Sequence, residues 1–304
     1  MKNGFLLILM FLAVVPLPAQ QDYSGLSPLF NPLVRAELPK EVCETSGLFF
    51  HKGRLWTHND SGGKAILYGL DTSDFKVVQR ITLAHVNNKD WEDICTDGTM
   101  VFVGDMGNNN GKRKNLRIFT FSLSDIPDEG DATVEVDSIL FRFADQTNYE
   151  RRKVHDFDCE ALFATDDYLY LLSNGWATGT TRLYRLPKVP GNYVAEVVNS
   201  FDSKGLVTGA DYDPKNKSLV VVGYVNKIWK PFLYLIFDFE EHGKNLANRR
   251  FEMPNHTGTQ IEGVCFFDKG KCYVSAETSP AFSARVFVMD FTKWIEAQSK
   301  EDKR

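Results

Sequence analysis

The chain has 304 residues, a formal net charge of −5, 43% hydrophobic and 13% aromatic content, and five cysteines. That length admits two ordinary domains or one larger repeat domain, and the mild acidity argues against a nucleic-acid polymer as partner. An odd cysteine count argues against a disulfide framework and predicts five free thiols, most of them in the core.

Residues 1–20 read as a secretory signal: Lys2 supplies the positive start, Phe5 to Val15 the apolar stretch, and Pro16 to Gln20 the cleavage region. The stretch is short for a membrane span, and no later run reaches that length. The expectation is a secreted or periplasmic protein with one domain over 21–304, no membrane span and a monomeric state.

A short phrase then recurs five times: Glu44-Thr-Ser-Gly-Leu, Asp90-Trp-Glu-Asp-Ile, Asp158-Cys-Glu-Ala-Leu, Leu206-Val-Thr-Gly-Ala and Gln260-Ile-Glu-Gly-Val. Its third residues, Ser46, Glu92, Glu160, Thr208 and Glu262, are separated by 46, 68, 48 and 54 positions. A small residue follows in four copies (Gly47, Ala161, Gly209, Gly263), and an apolar run comes next. Repeats of this length imply stacked or radially arranged units.

Each copy opens a strand. Polar or glycine-bearing turns at His51-Lys-Gly, Thr96-Asp-Gly, Thr165-Asp-Asp, Pro214-Lys-Asn and Asp268-Lys-Gly lead into second strands at Arg54–His58, Met100–Gly104, Tyr168–Ser173, Ser218–Gly223 and Lys271–Ala276. Third strands are predicted at Ile66–Leu70, Leu116–Ser122, Arg182–Leu186, Phe232–Phe239 and Arg285–Phe291. Fourth strands are predicted at Val77–Leu83, Val134–Phe143, Tyr193–Phe201 and Arg249–Met253. The last repeat lacks a fourth strand, and Pro32–Leu38 is available to supply it. Such a closure leaves only short sheet edges. The prediction is an all-β, five-bladed β-propeller, with six blades as the alternative because the 68-residue step is long. A helix is expected only in the tail, Thr292 to Arg304, as an exposed or frayed end. In the last hairpin, a turn at Lys269-Gly270 would set Cys272 opposite Phe267 rather than Cys265.

Inner strands of a propeller converge on the central axis, so the five pivots are expected to form a ring there. Three carboxylates and two hydroxyls in a narrow space demand raised pKa values or a cation. Hard oxygens without His or Cys favour Ca²⁺ held by Ser46, Glu92, Glu160, Thr208 and Glu262. Asp93 is the exception to the small-residue rule and is expected at the channel mouth. Hairpin geometry places Glu44, Asn59, Asp60, Asp90, Asp105, Asn108, Asp158, Asn174, Gln260 and Glu277 on the same face, which makes that end a polar cleft. Alternation puts Asp156, Asp158 and Glu160 on one side of their strand.

The order Ser, Glu, Glu, Thr, Glu resembles the calcium-activated nucleotidases, the apyrase family, with local phrases Ser46-Gly-Leu, His58-Asn-Asp-Ser-Gly, Asp90-Trp-Glu, Val103-Gly-Asp and Ile261-Glu-Gly-Val. The resemblance implies a secreted five-bladed propeller with one axial Ca²⁺ that hydrolyses nucleoside di- and triphosphates. It places the calcium ligands at the five pivots and a catalytic carboxylate at Asp60. The chain is also similar to a group of uncharacterised secreted bacterial propellers that share Trp56-Thr-His-Asn-Asp-Ser-Gly, Asp90-Trp-Glu-Asp-Ile and Val103-Gly-Asp-Met-Gly-Asn-Asn. The nucleotidases' basic segment after the third unit's second strand is replaced here by Ser173-Asn-Gly-Trp-Ala.

The chemistry expected of such a site is metal-assisted hydrolysis of a phosphorylated small molecule, with Asp60 or Asp105 as base. Asn59, Asn108, Asn174, Trp176 and Glu277 would line the substrate, and Lys112, Arg113 and Lys114, in a mobile loop, would meet the phosphates. Arg151 and Arg152 are a second candidate for that role. An esterase or lactonase could use the same constellation. The rival expectation is a non-catalytic propeller with a structural axial calcium, binding a glycan, small molecule or partner protein through rim residues Trp91, Trp176 and Trp229.

Overall fold

The computed structural model describes residues 30–301, apart from 226 and 241–246. The expected signal sequence lies outside the described residues. Among the described residues, twenty-one strands make up most of the structure.

The strands form five four-stranded antiparallel units. Unit 1 holds β2 (Thr45–His51), β3 (Arg54–Asn59), β4 (Ile66–Asp71) and β5 (Val77–Leu83). Unit 2 holds β6 (Trp91–Thr96), β7 (Met100–Asp105), β8 (Leu116–Ser122) and β10 (Asp137–Phe143), after the short β9 (Ala132–Val134). Unit 3 is β11 (Asp158–Ala164), β12 (Tyr168–Asn174), β13 (Thr180–Pro187) and β14 (Gly191–Asp202). Unit 4 is β15 (Leu206–Asp213), β16 (Ser218–Val225), β17 (Lys230–Phe237) and β18 (Ala247–Glu252). Unit 5 is β19 (Ile261–Asp268), β20 (Lys271–Ala276) and β21 (Arg285–Asp290), completed by β1 (Val34–Glu37) from the other end of the chain. The predicted closing strand therefore pairs where it was expected, Glu37 opposite Arg285.

Units 2 and 3 share an eight-stranded sheet because β10 runs parallel to β14, Ile139 opposite Gly191. The predicted strand Val134–Phe143 is in fact two. Its start belongs to β9, which adds a parallel fifth strand to unit 1, Leu83 opposite Val134, and only β10 returns to unit 2. The long second step is thus used on β9 and on residues 144–157, and among the described residues it makes no additional antiparallel unit.

Five buried clusters lie at the five junctions between neighbouring units. Phe49 and Trp56 meet Trp91 and Phe119 between units 1 and 2. Phe102 and Phe141 meet Leu169 and Tyr184 between units 2 and 3. Phe163 and Tyr170 meet Phe232 and Tyr234 between units 3 and 4. Leu233 and Phe251 meet Val274 and Phe287 between units 4 and 5, and Cys265 and Tyr273 meet Leu48 and Tyr68 between units 5 and 1. Each sheet is therefore covered on both faces, as its apolar runs require. The tail departs from expectation: α1 (Thr292–Glu301) is anchored, with Ile295 2% exposed and Trp294 packed edge-on to Phe251 at 5.0 Å.

All five cysteines are free thiols, and all but Cys43 are buried. Cys272 lies opposite Phe266, not Phe267, because the strand is irregular between Phe266 and Asp268.

Candidate functional site

Register shifts mark every pivot. The inner-strand ladders are broken between Thr45 and Leu48, Trp91 and Asp93, Cys159 and Ala161, Val207 and Gly209, and Ile261 and Gly263. Each pivot falls inside its shift. A bulge inserts one unpaired residue and re-aims its side chain, so the repeated phrase encodes a repeated bulge. The first strands touch in the cyclic order β2, β6, β11, β15, β19 and back to β2. The small residues are required by that closeness. A Cβ on Gly47 would fall 2.3 Å from Asp93 Oδ1, and one on Gly263 would fall 2.4 Å from the Ser46 carbonyl oxygen.

The hydroxyl pivots hold neighbouring units together. Ser46 Oγ donates to the Glu92 carbonyl, and Thr208 Oγ1 donates to the Ile261 carbonyl at 2.5 Å. Burial pushes the carboxyls of Glu92, Glu160 and Glu262 well above the ordinary range, and the charges around them add to it: Asp60 and Glu160 at Glu92, Asp158 and Glu262 at Glu160, Glu277 and Asp60 at Glu262. Tyr224, which sequence reasoning missed, is a half-buried phenol held above its ordinary value by burial and by the charges of Glu262 and Glu160.

Asp93 is not at the channel mouth. It is fully buried, and its carboxylate accepts hydrogen bonds from the amides of Ile94 (2.8 Å), Leu162 (2.8 Å) and Ala210 (3.2 Å). It thereby ties β6 to β11 and β15, because the bulge at Glu92 turns the next side chain inward.

Around the ring the acidic face is built as predicted in composition but not in role. Burial, with Asp90 as the strongest like charge, raises Asp60 to about 7. Burial raises Asp90 to about 6 against the pull of Arg113, and Glu277 to about 7. Asp158 is also raised by burial; its Oδ1 accepts from the Asn108 amide at 2.7 Å and its Oδ2 from Trp176 Nε1 at 3.3 Å. Asp60, Asp90 and Glu92 each offer an oxygen, all within 4.8 Å of one another.

Several predicted substrate groups are occupied instead by structure. Arg113, expected on a mobile loop, is buried and donates to Asp105 Oδ1 at 2.8 Å and to the Gly107 carbonyl at 2.7 Å. Asp105 is correspondingly buried and paired, which removes it as a free base. Asn108 accepts from the Arg113 amide and donates to the Phe157 carbonyl, each at 2.9 Å. Asn59 accepts from the Glu44 amide and donates to the Glu41 carbonyl. Asn174 is buried, accepts from the Val207 amide at 2.7 Å and faces Glu160 with its amide. Asp156 turns away from the axis to accept from the amides of Ala177 and Thr178. Lys112 is exposed, Lys114 lies 5.0 Å over the Tyr149 ring, and Arg151 and Arg152 are exposed and bond to Asn110 and Asn148. Trp91 is fully buried against His58, so it is no rim platform, whereas Trp176 and Trp229 are half-buried.

Asn88 was also missed. Its Nδ2 donates to the carbonyls of Asn59 (2.9 Å) and Asp60 (2.5 Å), while its Oδ1 accepts from the Trp91 amide at 3.2 Å. A single buried amide thus fastens the Asp60 turn over the start of β6. Nothing in the repeat pattern singles it out.

The chain matches no protein-family model and no curated protein sequence. Its fold is similar to solved structures. An exo-β-1,3-galactanase of Phanerochaete chrysosporium, solved with galactose, aligns with TM-score 0.53 and 10% identity, over 87% of this chain and 66% of that one. The PQQ-bound aldose sugar dehydrogenase of Streptomyces coelicolor aligns with TM-score 0.48 and 11% identity, over 84% and 96%. A glucose dehydrogenase aligns with TM-score 0.48 and 13% identity, over 85% and 99%. The fold is all-β and of propeller type. Among the described residues no helix is long and apolar enough to cross a membrane.

Proposed function

We propose that the chain is a secreted or periplasmic five-bladed propeller whose acidic end holds a calcium ion on the axis and hydrolyses a phosphorylated small molecule beside it. The carrying observation is uncompensated charge. Asp60, Asp90, Glu92, Asp158, Glu160, Glu262 and Glu277 are all held above the ordinary carboxylate range. Arg113 reaches Asp90 at 3.8 Å but is already committed to Asp105 at 2.8 Å. Crowded carboxylates of this kind must hold protons or a cation.

The pivots suit calcium. Glu92, Glu160 and Glu262 offer hard oxygens, and Ser46 and Thr208, which donate their hydroxyl protons to carbonyls, keep lone pairs to offer. Bound there, calcium would polarise a phosphoryl oxygen and offset the negative field. Without it, the acidic end repels phosphate. Asp60 takes the proton of a water as the water oxygen bonds to phosphorus and the bond to the leaving oxygen breaks; the leaving oxygen takes a proton from solvent. With a pKa of about 7 before a cation lowers it, Asp60 is suited to that exchange. The resemblance to the calcium-activated nucleotidases supports this reading, with nucleoside di- and triphosphates as the first substrates to try.

A second reading has its own support. Asp105, Arg113, Asn59, Asn108 and Asn174 are engaged in internal hydrogen bonds, which leaves few groups to recognise a substrate. That favours a binding propeller with a structural calcium and a small-molecule or glycan ligand. Phosphate release from nucleoside di- and triphosphates, with calcium and with chelator, separates the two. The hydrolase reading expects release that chelator and Asp60→Asn both abolish, while calcium still raises the melting temperature of Asp60→Asn. Calcium-dependent melting with no release from any substrate leaves the binding reading.

A further inference from the structure

We propose that Asp60, Asp90 and Glu92 hold a divalent cation of their own, to one side of the axial ring at the junction of units 1 and 2, with calcium preferred over magnesium. This goes beyond the axial reading, in which Asp60 and Asp90 bind no metal.

The geometry carries the assignment. Three oxygens no more than 4.8 Å apart all lie within about 2.8 Å of a common point, near enough for one cation to reach all three; an all-carboxylate set without octahedral symmetry suits calcium's flexible shell better than magnesium's near-ideal octahedron. Glu160 and Glu262 are not members of this group, so the position is distinct from the ring, and Glu92 belongs to both. The second observation is Glu92 itself. It is 9% exposed, its carboxylate points into the cluster, and among the described residues no hydrogen bond or ion pair compensates it. Asp60 Oδ1 is likewise buried without a partner.

The three side chains are brought together mainly by neutral hydrogen bonds, with Arg113 reaching only Asp90, at 3.8 Å. Asn88 fastens the Asp60 turn, and the amides of Met106 and Gly107 both donate to the Asp90 carbonyl, at 3.1 and 3.2 Å. Position 107 must be bare for this: a Cβ there would fall 1.9 Å from Glu92 Oε1 and 2.6 Å from Asp90 Oδ2. A framework that holds three carboxylates against their own repulsion, with the one cationic side chain in ion-pair reach among the described residues, Arg113, 3.8 Å from Asp90 and already paired with Asp105 at 2.8 Å, is preorganised for a bound cation. A carboxylate has two oxygens, so Asp60 can ligate through one and accept a proton at the other.

The test is calorimetric titration of chelator-treated protein with Ca²⁺ and Mg²⁺, with circular dichroism to show that each variant is folded. Wild type is expected to bind calcium in two classes. Asp90→Asn should weaken one class by about tenfold or more, and Glu262→Gln should weaken only the other. Gly107→Ala keeps every carboxylate but displaces Glu92, and should also weaken the class that Asp90→Asn weakens. A single class lost in Glu262→Gln and untouched in Asp90→Asn and Gly107→Ala overturns this inference and leaves the axial calcium standing. A single class lost equally in all three variants overturns the separate position. No calcium binding at all overturns both.

Discussion

Glu92 and Asp93 are neighbours in sequence and belong to opposite kinds of site. Asp93 sits at full burial with three backbone amides on its carboxylate, and it ties three inner strands together. Glu92 is nearly as buried, has no such donors, and faces Asp60 and Asp90. Both carboxyls are pushed above their ordinary range by burial. The difference separates a charge that the backbone satisfies from one that it leaves to its neighbours. A buried carboxylate whose lone pairs are filled by amides is part of the framework; one without such donors, facing other carboxylates, is where a cation would offset the charge.

Removing the framework carboxylate should have the largest effect. Asp93→Ala leaves the Leu162 and Ala210 amides without their acceptor and opens the axis, at a cost of ~3–5 kcal/mol in chemical denaturation. Glu92→Gln should instead stabilise the protein in chelator, because it removes a crowded charge and no hydrogen bond. A large loss in both, or in neither, would erase the distinction between the two residues.

Asp211 sharpens the comparison through pH. Burial raises its carboxyl to about 7, with Asp213 adding to the rise and the Phe266 and Tyr212 amides opposing it. The folded protein therefore holds a proton there between about pH 4 and 7 that the unfolded chain has released. The contribution is fully present below that window and lost as pH rises through it. Asp211→Asn should thus leave stability unchanged near pH 4 and raise it by up to ~4 kcal/mol at pH 8, read from urea midpoints. A gain at pH 4 would contradict the sign.

On the ligand side, Glu160→Gln should lower the melting temperature in calcium by several degrees and remove the share of its calcium dependence that the axial ion supplies, leaving only the rise due to the Asp60, Asp90 and Glu92 position. Close approach predicts a loss of ~3 kcal/mol for Gly47→Ala, at the upper end for overpacking, since its methyl would collide with the Ile94 backbone nitrogen as well as with Asp93 Oδ1. Smallest of all, Asn88→Ala should cost ~1 kcal/mol while weakening calcium binding, because the Asp60 turn loses its tether; an unchanged calcium titration would show that the turn holds itself.

The five-fold phrase, the hairpins after it, the closing N-terminal strand, the free thiols and the small residue beside each pivot were all legible in the chain. They depend on local pattern: alternation, turn chemistry and a repeated spacing that each strand obeys separately. Composition likewise announced an acidic end, because hairpin geometry alone gathers strand starts and strand ends on one side.

What the chain could not announce was which polar atom finds which partner. Asp105 and Arg113 look like a base and a phosphate clamp until the loop between them folds and pairs them. Asn108, Asn59 and Asn174 look like substrate contacts until backbone groups from distant positions claim them. A one-residue bulge decides that Glu92 faces Asp60 while Asp93 plugs the axis, and its effect appears only when five inner strands converge. Sequence set the units and their charges. Tertiary structure decided which charges are satisfied, because hydrogen-bond partners across a ring of units are fixed by three-dimensional closure, not by spacing along the chain.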